Sequence, residues 1–220
     1  MLMGLPNFPT IESYWISDPL YYHELFQKLP IKYHRFALLL RCWHFQDNSI
    51  SGINHLSKIN PLLKLIRKNM NNIYAPGDTI VIDETMVPFR DRLKFPQYNP
   101  SKAHKYGIKL YKLCTLHGYA WDVKIYDGQG QRLAELDLLG STVIELVKPF
   151  LDDGRLVITD NYYTSIDLAK YLYDRKTNLL GTIRKNRIDL PRDLINYKLR
   201  KGKVVFKQND YITFIKWKDQ

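Results

Sequence analysis

Thr79-Ile80-Val81-Ile82-Asp83-Glu84-Thr85-Met86-Val87-Pro88-Phe89-Arg90 is an apolar run, rich in β-branched residues, that ends on carboxylates. Branched side chains fit the pleated surface of a sheet, so the run predicts a strand over 79–89. A second stretch repeats the design: Arg155-Leu156-Val157-Ile158-Thr159-Asp160-Asn161-Tyr162-Tyr163-Thr164-Ser165. Two buried strands, each delivering an Asp at its carboxyl end, would bring two carboxylates to one end of one sheet. Successive strand side chains point to opposite faces, so Asp83 and Glu84 cannot both serve one site. Asp83 follows the apolar run directly and is the lead residue.

The order of elements around these stretches sets the fold class. Residues 1–76 read as mostly helical. Ser17-Asp18-Pro19 has the composition of a helix start before the segment 20–28. Phe36, Leu39, Leu40 and Trp43 recur at helical spacing over 32–44, and Asn60-Pro61 opens a third helix. The turn Ala75-Pro76-Gly77-Asp78 then separates the helical period from the strands. Residues 108–116 and 119–126 read as paired strands about His117-Gly118. Thr142 and Glu145 have capping-box spacing for a helix running to about 151. The strand 155–159 follows, then a helix opened by Thr164-Ser165, a strand within 177–183, and a hairpin over 203–217. Strand, strand, strand, helix, strand, helix, strand is the ribonuclease H-like order, with the first and fourth strands adjacent and central. The expected architecture is α/β: a helical region over 1–76, a ribonuclease H-like mixed-sheet core over 77–198, and the start of a β-rich insertion over 199–220.

Composition narrows the partners. Lys and Arg number 33 against 22 Asp and Glu, a formal net charge of +11. Such a balance favours a polyanionic partner, nucleic acid above all. Arg90, Arg92, Lys94, Lys102, Lys105 and Lys109, with His104, interleave with Phe95, Tyr98 and Tyr106 directly after the first acidic strand. Arg184 and Lys185 follow the last core strand. Cations among aromatic rings can hold a phosphate backbone beside the carboxylates; the alternative is a solvated basic loop. The apolar runs are too short for a membrane span, and the N-terminus lacks the basic and apolar regions of a signal peptide. Cys42 and Cys114 lack zinc-site spacing and read as buried free thiols of a reducing compartment.

Two Asp side chains at neighbouring strand ends suit a pair of Mg²⁺ ions, which take one or two carboxylates and fill the rest of the octahedron with phosphate oxygens and water. Ions ~4 Å apart serve phosphodiester cleavage and transfer. Such a site ordinarily includes a third carboxylate.

These motifs resemble the piggyBac family of DNA transposases and their domesticated derivatives. The resemblance lies in Ile82 to Arg92, in Pro100-Ser101-Lys102 with Lys105-Tyr106-Gly107-Ile108-Lys109, in Asp160 to Ser165, in Gly181-Thr182-Ile183-Arg184, and in Arg41-Cys42-Trp43-His44-Phe45 with Asp47-Asn48. It spans nearly the whole chain in order. It implies a helical dimerisation and DNA-binding region followed by a catalytic core of the DDE type. It also implies Mg²⁺-dependent cutting and pasting of DNA at TTAA targets and a homodimer; the expected DNA substrate in turn points to a nuclear location. Of the family's three Asp residues the first two map to Asp83 and Asp160. The third, and the family's Cys-rich finger, fall beyond Gln220, so the two-ion site is expected only in the intact enzyme. Asp91 stands where the family usually has Gly. A domesticated DNA-binding protein that keeps the basic surface without catalysis is the alternative function, and an unrelated ribonuclease H-like nuclease is a weaker third.

Overall fold

The computed structural model describes residues 8–47, 49, 55–89, 97–98, 105–128, 132–209 and 211–219. They fall into two compact units, one built from residues 1–53 and 57–61 and the other from residues 54–56 and 62–220. The expected boundary at 76 therefore lies inside the second unit.

The first unit carries a 3₁₀ turn (Glu12–Trp15) and helices α1 (Glu24–Lys28) and α2 (Tyr33–Cys42). It is organised by aromatic rings. Trp15 packs on Phe26, Tyr33 and Phe36 with ring centroids 4.9–5.9 Å apart, and its indole N–H donates to the Ile31 carbonyl at 2.8 Å. The expected helix start at Asp18 is instead a turn: its carboxylate accepts from the Leu20 N–H at 2.8 Å, and α1 begins at Glu24. Cys42 is exposed, because α2 buries none of its residues, so the buried thiol expected there is corrected; Cys114 is half-buried.

The second unit begins with the remainder of α3 (Asn60–Ile73), which sits against the sheet. Arg67 reaches Asp122 with both Nε and Nη2, one to each carboxylate oxygen, and Asn71 donates to the Trp121 carbonyl at 2.6 Å. The hydrogen bond to Asp122 is the main reason the Arg67 guanidinium is held above its ordinary value.

The six-stranded sheet contains β1 (Thr79–Pro88), β2 (Gln97–Tyr98), β3 (Tyr106–Thr115), β4 (Ala120–Ile125), β5 (Leu156–Thr159) and β6 (Asn178–Gly181). β3 pairs antiparallel with β1 on one edge and with β2 and β4 on the other. β1 and β5 pair in parallel, as do β5 and β6. The first and fourth strands of the expected order are thus adjacent, in a mixed sheet of ribonuclease H-like arrangement.

One face of this sheet carries the core. Ile80 and Ile82 of β1, Tyr111 and Leu113 of β3 and Val157 of β5 share that face and are buried against α4 (Leu138–Val147) and α5 (Ile166–Asp174). On the other face Val81, Thr85, Leu110, Lys112 and Ile158 are half-buried. Asp137 caps α4 by accepting from the Gly140 N–H at 2.7 Å, so the helix starts ahead of the expected Thr142. The Ser141 and Thr142 hydroxyls turn back onto the carbonyls of Asp137 and Leu138. Ser165 caps α5 as its sequence suggests. Beyond α6 (Arg192–Asn196), β7 (Val204–Gln208) and β8 (Thr213–Trp217) form a separate two-stranded sheet. Lys216 ties it to α6 by donating to the carbonyls of Leu194, Ile195 and Tyr197.

Two consequences are measurable. A Cβ added at Gly181 would lie 2.3 Å from Thr164 Oγ1 and 2.7 Å from the Thr159 carbonyl. Gly181→Ala is expected to cost about 1–3 kcal/mol by overpacking, read by urea unfolding; an unchanged midpoint would contradict this packing. Burial also pushes the Tyr111 and Tyr163 hydroxyls far above the ordinary tyrosine value. An unfolded tyrosine loses its proton near pH 10, while these two keep theirs. Stability is therefore complete below about pH 10 and falls above it, by up to about 1.4 kcal/mol per pH unit for each such group. Tyr111→Phe and Tyr163→Phe should each flatten that alkaline slope in unfolding titrations.

Candidate active site

The β1–β5 register places the two carboxylates. Ile82 pairs with Thr159 at the last step of the parallel ladder, so Asp83 and Asp160 follow at the same level of neighbouring strands. Strand alternation puts both on the sheet face away from α4 and α5, and both are exposed. Asp83 stands opposite Lys112 of β3. Its Oδ1 accepts from the Glu84 N–H at 2.7 Å. Cys114, on the same face, has its thiol pushed up mainly by burial, with Lys112 opposing and Asp83 adding to the shift.

Asp160 is held by a tight turn. Its carboxylate accepts from the Tyr162 N–H at 3.0 Å. Its carbonyl accepts from the Thr164 N–H at 3.1 Å and from Thr164 Oγ1 at 2.7 Å. Thr164 Oγ1 also meets Thr159 Oγ1 at 2.8 Å. Gly181 leaves the room this cluster needs.

Glu84 points the other way, as alternation requires, and accepts from the Tyr163 hydroxyl at 3.0 Å. Tyr163 is fully buried and lies edge-on to Tyr111 and Tyr162. Burial is the first cause of its raised value; the Glu84 charge and hydrogen bond come next. A neutral hydroxyl donating to a carboxylate is the stable arrangement in such surroundings. Neither Glu84 nor Tyr163 was marked as a partner by the sequence, which offers only the facing parity of Glu84.

The expected DNA-contacting residues divide three ways. Arg90, Arg92, Lys94 and Lys102 lie outside the described residues. Lys105, Arg184 and Lys185 are exposed. Arg184 donates to the Asn161 side chain at 3.0 Å and lies 6.0 Å from the Tyr162 ring, beside Asp160. Lys109 is instead buried, its ammonium 4.0 Å from the Tyr162 ring centre and 5.0 Å from that of Tyr111. Cation–π attraction offsets part of the cost of burying it, and its charge is taken up by ring faces rather than displayed to solvent. Arg187 links the site to the helix cap: it donates to the Tyr162 carbonyl at 3.0 Å and to Asp137 at 3.4 Å.

Oxygen donors held side by side at the open end of two parallel strands, rimmed by cations, form an arrangement suited to a hard divalent ion and a phosphate. Comparisons with known proteins agree with this architecture. A family model described as Transposase IS4 matches residues 1–220. The chain is 24% identical over 229 aligned positions to human PiggyBac transposable element-derived protein 3, covering 95% of this chain and 38% of that protein. The human Chimeric ERCC6-PGBD3 protein matches at the same 24% identity, with 21% of its length covered. Among solved structures, the cryo-EM structure of a piggyBac transposase synaptic complex with hairpin DNA superposes with a TM-score of 0.78 at 31% identity, over 86% of this chain and 41% of that one. The chain therefore spans well under half the length of the relatives it matches. Fold, family model and relatives agree: this chain belongs to the Transposase IS4 family, as a piggyBac-type transposase domain.

Proposed function

We propose that this domain serves metal-dependent DNA cleavage and strand transfer, with Asp83 and Asp160 as two carboxylate ligands of a Mg²⁺ site. The register that sets Asp83 level with Asp160 carries the reading. Both are exposed, both are oxygen donors, and each has one oxygen fixed by a backbone N–H; that donor chemistry fits magnesium. Bound there, the metal would supply activation of a water or a 3′-hydroxyl and stabilisation of the leaving oxygen. The chain's own residues supply the rest. The Thr159–Thr164 turn orients Asp160; Arg184 presents positive charge beside it, and Lys185 follows Arg184 on the surface, for the phosphate backbone. Transposon ends are the proposed substrate, with TTAA as the target by likeness to piggyBac. The solved neighbour is a transposase in a synaptic complex with hairpin DNA, which supports DNA as the partner. A homodimer is proposed through the N-terminal helical region, where Leu38, Leu39 and Trp43 are exposed. A nuclear location follows from the substrate.

The second reading, a domesticated DNA-binding protein without catalysis, is favoured by the human relative named as transposable element-derived. Divalent metal discriminates between the two. Binding to duplex DNA, followed by fluorescence anisotropy, is expected to weaken linearly in log–log form as salt rises. Arg184→Ala and Lys185→Ala should each reduce that slope by about one if they contact phosphates. For the transposase reading, Mg²⁺ tightens binding and Asp83→Asn or Asp160→Asn removes the increment. Salt-dependent binding indifferent to Mg²⁺ supports the domesticated reading, and no binding at low salt refutes both.

A further inference from the structure

The parallel ladder that aligns the carboxylates stops at Ile82–Thr159. β1 continues to Pro88, paired there with β3, while the chain after Thr159 leaves β5 and enters a turn. Asp83 and Asp160 therefore sit one residue past the last backbone bridge between their strands. Their spacing needs another restraint.

The Tyr163–Glu84 hydrogen bond lies across this gap. Glu84 is the residue after Asp83, and Tyr163 belongs to the turn whose N–H groups at 163 and 164 close on the Asp160 carbonyl. The bond is 3.0 Å long and joins residues 79 apart in sequence. Tyr163 is fully buried, with Tyr111 and Tyr162 against its ring, so its hydroxyl has little freedom to seek water. A buried hydroxyl that lost this acceptor would be left without a hydrogen-bond partner, which is costly. Lys109, a diagonal neighbour of Glu84 on the same sheet face, adds positive charge on that side. The carboxylate is thus held on the buried face while its neighbour Asp83 is turned to the open one.

We infer that Glu84 and Tyr163 form a positioning pair that fixes the separation of Asp83 and Asp160, and so sets the affinity of the site for a divalent cation. Neither side chain is a ligand: both face the opposite side of the sheet. The inference rests on the carboxylate-pair reading above. Partners that orient metal-binding groups typically control affinity by about 10–100-fold.

The test uses the 220-residue chain and Mn²⁺ alone, titrated by calorimetry and by electron paramagnetic resonance, with circular dichroism on every variant. Tyr163→Phe keeps the ring and removes only the hydroxyl. It is expected to weaken Mn²⁺ binding by about tenfold or more with the dichroism spectrum unchanged. Glu84→Ala should weaken binding similarly. Glu84→Gln keeps a carbonyl acceptor and should retain more affinity than Glu84→Ala, a rescue that simple loss of packing does not produce. In the Tyr163→Phe background, Glu84→Gln should then have little further effect. Wild-type affinity in a folded Tyr163→Phe chain overturns the positioning role and leaves the carboxylate pair standing, provided Asp83→Asn still abolishes binding. Mn²⁺ binding that is absent, or unaffected by Asp83→Asn, overturns the pair and the positioning role together.

Discussion

The parallel pairing of β1 with β5 is the constraint on which the site depends. Its register, Thr79 with Leu156 through Ile82 with Thr159, leaves Asp83 and Asp160 as the next residues on their strands. A shift of one residue would turn every side chain of β5 to the opposite face. Val157 would leave the core and Asp160 would enter it. The burial of Ile80, Ile82 and Val157 under α4 and α5 therefore fixes the register, and the register aligns the carboxylates. The core and the site are not separate problems in this sheet. Arg155 secures the other end of the pair, donating to the carbonyls of Pro76 and Gly77 at 2.7 and 2.6 Å.

The two faces of β1 then divide the labour of a single acidic dipeptide. Asp83 faces the open side and stays in water, where a carboxylate carries its charge cheaply. Glu84 faces the packed side, where an ionised group without partners would be costly. Tyr163 meets that cost with a hydroxyl, and the nearby Tyr111 is buried in the same cluster. Adjacent acids in a strand would ordinarily conflict. Here the alternation separates them, and the inward-facing one becomes an attachment point for the loop that carries Asp160.

Much of this was legible in the sequence because it depends on local pattern. The β-branched runs announced β1 and β5, and the order of strands and helices announced which would be neighbours. Asp83 and Asp160 stood out because each ends an apolar run. What the sequence hid depends on distant partners or on competition between equals. Glu84 and Tyr163 meet across the fold, and no spacing rule joins them. Lys109 reads as one more cation in a basic stretch, yet β3 alternation turns it inward among Gly107, Tyr111 and Leu113. Asp137 and Thr142 are both good helix caps. Asp137 prevails: its side chain caps the helix, and the earlier start adds buried Gly140, Ser141 and Thr142 to it. Cys42 looked like a buried thiol by composition, but it is exposed at the end of α2, among whose residues none is buried.

The charges around the site follow from the same geometry. A basic stretch beside a carboxylate can face solvent or pack inward, and Lys109 and Arg184 show both placements within one cluster. Both approach the Tyr162 ring, Lys109 buried and Arg184 exposed. The buried cation lies against the Tyr162 and Tyr111 rings, whereas the exposed one is bonded to Asn161 at the surface. A net charge of +11 thus overstates the surface offered to a polyanion. Of the cations described, Arg184 is the one fastened to the turn that holds Asp160, through the Asn161 side chain, and Lys185 follows it in sequence and is exposed. Position relative to that turn, more than total charge, separates cations that can guide a phosphate from those that only stabilise the fold.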